Sequence, residues 1–195
     1  MYTEYDYNNS LYHHGIMGQK WGVRRFQNRD GTLTEEGRKR YTVFVSGSSK
    51  TQDKNSGYYR RKLPKEIRKE LKGNMKNGDK IIVGDAPGID RQVQDYLNKK
   101  RYKDVEVYGP GKQVRYSANK NWKINMIDSK YPEGSKEWLA EKDKAMSRRA
   151  DKGLAVVLEN GGAGATRNNV KRLKKAGKEA KMYELKSKKK YDSWI

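Results

Sequence analysis

The chain has 195 residues, with 45 Lys and Arg against 24 Asp and Glu, a formal charge of +21. Hydrophobic residues make up 33% and charged residues 35%, so the core is thin and concentrated in a few segments, while the basic excess attracts polyanions and anionic ligands. With no Cys, and His only at His13 and His14, disulfides, thiolate nucleophiles, Cys-ligated zinc and a Ser-His-Asp triad in the main domain are excluded; no metal and no cofactor are expected.

No apolar run approaches about 18 residues, so no membrane span is expected. The polar N-terminus lacks the apolar stretch of a secretory signal, which points to an intracellular site of action. Residues 1–40 are rich in Tyr, Asn, Gly and Arg and show no sustained periodicity. They read as a basic, irregular segment, either a flexible leader or a piece that orders on a partner. Residues 41–185 read as one α/β domain, and residues 186–195 as a basic tail ending near Trp194.

Within the main domain, short apolar runs alternate with helical patterns. Tyr41 to Val45 is β-branched and aromatic, the pattern of a strand, and runs into Ser46-Gly47-Ser48. Leu63, Ile67, Leu71 and Met75 recur every four residues, with Pro64 suited to a first helical turn and Gly78 to the helix end. Lys80 to Val83 is a second strand, followed by Gly84-Asp85-Ala86-Pro87-Gly88. Ile89, Val93, Tyr96 and Leu97 form the next helical stripe, and Val105 to Tyr108 a third strand.

The polar stretch 109–136 exceeds an ordinary connector and is expected to be a lid-like loop. It carries Arg115, a candidate phosphate contact, and Trp122, which would cover a ligand or plug the core. Trp138, Leu139, Ala145, Met146 and Ala150 predict a helix. Leu154 to Leu158 is a fourth strand leading into Gly161-Gly162-Ala163-Gly164. Val170, Leu173 and Ala176 share a face of the last helix, and Ala180 to Leu185 is a fifth strand. This order predicts a Rossmann-like parallel sheet of about five strands with helices on both faces.

In such sheets ligands bind beyond the carboxyl ends of the strands. Strands one, two and four each end there in a small, glycine-bearing turn. Glycine lets backbone approach a ligand closely, and a following helix N-terminus offers free N–H groups to an anion. The candidate ligand-binding set is therefore Ser46, Gly47, Ser48, Gly84, Asp85, Gly88, Asp90, Gly161, Gly162, Gly164, Thr166 and Asn169. Asp90 could serve a ribose hydroxyl or an amine, or only its own helix start. Tyr58, Tyr59, Arg60 and Arg61 suit base stacking and phosphate pairing, or form a basic loop.

Val43 to Ser48, Ile82 to Asp90 and Gly161 to Asn169 together resemble the SLOG superfamily across residues 41–185. That group joins the DNA-processing protein A fold and the LOG-type cytokinin-activating phosphoribohydrolases. The middle segment looks like the family's Gly-x-Ala-x-Gly-Ile-Asp turn. The third looks like the Pro-Gly-Gly-x-Gly-Thr-x-x-Glu motif of the hydrolases, with Asn160 at the Pro and Asn169 at or near the Glu. An Asn cannot act as a general base, so the resemblance implies nucleotide binding without that hydrolysis. Separately, Tyr12-His-His-Gly-Ile-Met-Gly-Gln-Lys-Trp21, continuing to Tyr41, resembles a segment of head-associated structural proteins of tailed phages. It implies a phage origin, a place in the host cytoplasm or virion, and contact of residues 1–40 with a phage head or host protein.

Three functions are expected in this order. The first is a nucleotide-binding module that sequesters a nucleotide-derived host immune signal, such as an ADP-ribose derivative or a cyclic nucleotide. The second is an enzyme acting on an N-glycosidic or phosphate bond, with Asp85 or Asp90 as catalytic residues. The third is single-stranded nucleic-acid binding, where a charge of +21 also supports nonspecific affinity. A homodimer or higher oligomer is the expected assembly.

Overall fold

A computed structural model describes residues 28, 32–34, 39–55, 57–59, 62–159 and 164–187. Most of the N-terminal segment, Arg60, Arg61, Gly161, Gly162 and Trp194 lie outside the described residues. The chain divides into two units, Met1–Lys39 and Arg40–Ile195. Within the first, the Asn28 backbone N–H donates to the Thr32 carbonyl at 2.6 Å.

The second unit runs β1 (Thr42–Gly47), a 3-10 turn (Ser49–Thr51), α1 (Lys65–Asn77), β2 (Lys80–Gly84), α2 (Ile89–Lys99), β3 (Val105–Pro110), β4 (Lys123–Ile127), α3 (Lys136–Arg149), β5 (Lys152–Leu158), α4 (Ala165–Lys175) and β6 (Glu179–Leu185). The six strands form one sheet in the order β4-β3-β2-β1-β5-β6, and every neighbouring pair is parallel. The expected Rossmann-like α/β architecture is present, with one correction: the sheet has six strands, not about five. The extra strand, β4, lies inside the stretch read as a loop. It sits at the sheet edge, paired to β3 alone, and stays half-exposed. Water therefore accepts Lys123 and Asn125 there, and the strand lacks the apolar run that marks the interior ones.

Side chains alternate between the two faces of the sheet. Val43, Val45, Ile81, Val83, Val105, Val107, Leu154 and Val156 pack with Ile67 and Leu71 of α1 and Ile89, Val93 and Leu97 of α2. Phe44, Ile82 and Tyr108 point the other way, onto Met146 of α3 and Leu173 of α4. Gly78 ends α1 in the left-handed region at φ +73°, as its position after the last apolar residue predicted.

Beside it, buried Asp79 closes the amino-terminal edge of the sheet. Its carboxylate accepts from the Tyr41 backbone at 3.0 Å, Asn77 at 2.6 Å and Lys152 at 2.8 Å. That ties together the starts of β1 and β5 and the end of α1.

The 111–121 segment connects β3 to β4 without a helix and lies along the polar face of α2. Gln94 accepts from the Ala118 N–H at 3.0 Å, and Asn98 donates to the Ala118 carbonyl at 2.9 Å. The Tyr116 hydroxyl bonds Asp95, and the Arg91 guanidinium stands 4.3 Å from the Tyr116 ring centroid. Positions 91, 94, 95 and 98 share one helical face, and that face holds the connector.

Candidate functional site

Strand order reverses at β1: β2, β3 and β4 follow on one side, β5 and β6 on the other. Ligands of open α/β sheets bind at such a reversal. A cavity of about 670 Å³ opens there, at the carboxyl ends of β1 and β5. That volume lies in the usual range for small-molecule sites.

The turn after β1 forms one wall. Gly47 has no room for a side chain, because a Cβ would fall 2.5 Å from Ile89 Cβ. Gly88, at φ +85°, lies against the backbone of Ser48 and Ser49, and the Ile89 N–H donates to the Ser48 carbonyl at 3.2 Å. The first and second turns are thus locked together. The opposite wall is the start of α4, with Gly164, Ala165, Thr166 and Arg167. Gly164 supplies no side-chain cap, and the first turn of α4 has no acid. Its first N–H groups and positive dipole end are unneutralised within the helix itself.

Charged groups line and back the wall between. Asp85, fully buried, takes Arg115 in a bidentate pair, Nε at 3.0 Å and Nη2 at 2.5 Å, and also accepts the Arg115 backbone N–H at 3.0 Å. Lys142 donates to Asp143 at 2.9 Å, with both side chains buried. Burial alone would lower the Lys142 pKa, but Asp143, Asp90 and Asp85 outweigh it and raise it, so the ammonium is firmly charged. Asn169 donates to Asp143 at 3.1 Å and accepts from Arg172 at 2.5 Å.

Three acids thus meet two cations that are already paired, and Asp90 is the acid left over. Its Oδ1 is buried and has no hydrogen-bond partner among the described residues. Burial pushes its carboxyl up from the ordinary 3.8 to about 7; Lys142 and the Ala86 backbone amide oppose this, while Asp143 and Asp85 add to it.

Of the residues singled out from sequence, Ser46, Gly47, Ser48, Asp90, Arg115, Gly164, Thr166 and Asn169 all line the cavity. Gly84, Asp85 and Gly88 lie immediately behind it. A Cβ on Gly84 would stand 2.8 Å from Lys142 Nζ. Trp122 is in the α1/α2-side core, its Nε1 donating to the Tyr102 carbonyl at 3.0 Å, and does not line the cavity.

Sequence reasoning missed Lys50, Lys142, Asp143 and Arg167, which line the cavity, and Arg172 behind Asn169. A signal existed for the α3 pair. Trp138, Leu139, Lys142, Asp143, Met146 and Ala150 follow one helical stripe, so two charges occupy positions that periodicity assigns to the interior.

Among the described residues, no group of three or more His, Cys, Asp or Glu side chains is placed to hold a metal ion. No helix among them is long and apolar enough to cross a membrane. Comparison with protein-family models, curated proteins and solved structures returns no match.

Proposed function

We propose that the Arg40–Ile195 unit binds a phosphate-bearing, nucleotide-derived small molecule in this cavity and holds it rather than consuming it. The observation that carries this reading is the meeting, at the strand-order reversal, of the β1 turn with the uncapped, acid-free start of α4. Backbone donors and a helix dipole converge there beside Lys50 and Arg167. Asn169 supports holding over hydrolysis: its amide is spent on Asp143 and Arg172, and it offers no carboxylate. The phage-like N-terminal sequence adds the role of sequestering a nucleotide-derived host signal.

Isothermal titration against ADP-ribose, NAD, nucleoside mono- and diphosphates and cyclic nucleotides tests the reading. Saturable binding that is weakened by Arg167→Ala is expected. Binding of none of these compounds would overturn it.

A second reading rests on Asp90 alone. A cavity carboxyl that titrates near 7 is suited to general acid–base work on a bound ligand. Chromatography of the same ligands after prolonged incubation decides it: unchanged ligands support a holding protein, and products lost in Asp90→Asn would support an enzyme.

A further inference from the structure

Resting on the reading of the cavity as a nucleotide site, we infer that the ligand lies in one direction only, phosphate toward the start of α4 and sugar hydroxyls on Asp90, so that the site selects ribonucleotides. The two helices that open onto the cavity differ in one respect. The first turn of α2 contains Asp90, and that of α4 contains no acid. An N-terminal carboxylate already answers the dipole of α2, whereas that of α4 is unanswered from within. A phosphate therefore gains at α4 and meets the Asp90 carboxylate at α2.

At the Asp90 end the need is for a donor. Asp90 is 5% exposed, lines the cavity, and has one oxygen without a partner. A buried acceptor left unbonded costs free energy that a ligand donor recovers. The terminal torsion of an Asp side chain is soft, so Oδ1 can turn to a donor arriving at the cavity floor. On the nucleotide of the parent reading, the donors nearest the phosphate are the sugar hydroxyls. Hydroxyls donate without charge, and a ribose presents two of them at fixed separation from its 5′-phosphate.

The test measures ADP, UDP and their 2′,3′-dideoxy forms against the full-length protein, Asp90→Leu, Asp90→Asn and Arg167→Ala. The wild type is expected to prefer each ribonucleotide over its dideoxy form by about tenfold or more, the range of one buried hydrogen bond. Asp90→Leu erases that preference, Asp90→Asn keeps part of it, and Arg167→Ala weakens ribo and dideoxy forms alike. Equal binding of ribo and dideoxy forms by the wild type overturns the inference and leaves the parent reading standing, and needs no variant to fold. Failure of both ADP and UDP to bind overturns the inference; failure of the whole ligand panel overturns the parent reading as well.

Discussion

Asn169 Nδ2 donates to Asp143 Oδ2 at 3.1 Å, joining two buried side chains on neighbouring helices. The other Asp143 oxygen takes Lys142, and the Asn169 carbonyl oxygen takes Arg172. An amide can donate to a carboxylate and accept from a guanidinium at once; a carboxylate cannot. Position 169 is therefore built for an amide. Asn169→Asp keeps the acceptor for Arg172 but sets a second carboxylate against Asp143. A loss of about 1–3 kcal/mol at pH 8 is expected, read from urea midpoints and shrinking as pH falls.

Asp90 makes stability depend on pH in a set direction. Its carboxyl titrates near 3.8 when unfolded and near 7 when folded. Between those values the folded state binds the proton more tightly, so this group's contribution falls as pH rises from about 4 to about 7, then levels off. Each unit of difference is roughly 1.4 kcal/mol. Burial sets the midpoint first, Lys142 lowers it, Asp143 and Asp85 raise it, and Arg115 is the other cation near it. The difference between wild type and Asp90→Asn, followed by denaturation across that range, should isolate the slope. Asp90→Asn should gain relative stability toward pH 8.

Arg115→Ala removes the cation from a carboxylate with no solvent exposure. Arg115 is itself partly exposed, so the loss lies at the low end for a broken buried pair, about 2 kcal/mol or more. Hydrogen exchange should quicken first at the amides of 111–121.

Gly88 adopts φ +85° with its α-carbon against the Ser48 and Ser49 backbone. Gly88→Ala introduces both left-handed strain and a collision with main chain, which cannot rotate away. Thermal melts should show a loss of about 1–3 kcal/mol or more. Nucleotide affinity should fall with it, because the first two turns are displaced together.

Much of this architecture could be read from local pattern. β1, β2 and β5 are buried on both faces, so Tyr41 to Val45, Lys80 to Val83 and Leu154 to Leu158 form nearly unbroken apolar runs. β4 needs no such run, and Lys123-Ile-Asn-Met-Ile127 looked like loop. At the site, the glycines of the turns were legible because close backbone approach leaves a compositional mark. The state of each acid was not. Asp85 and Asp90 differ by five positions in sequence, yet one is saturated by Arg115 and the other keeps one buried oxygen unbonded. That difference is made by a connector and by α3, both remote in the chain.

The connector at 111–121 has no regular structure, yet its side chains and backbone are bonded along Arg91, Gln94, Asp95 and Asn98 and to Asp85. A protease must draw several residues of extended chain into its cleft before it can cut, and here drawing out residues 115–119 breaks bonds to α2 and to Asp85. Limited digestion of the Arg40–Ile195 unit should therefore spare the Arg115 and Lys120 bonds that trypsin would take first from a loose loop.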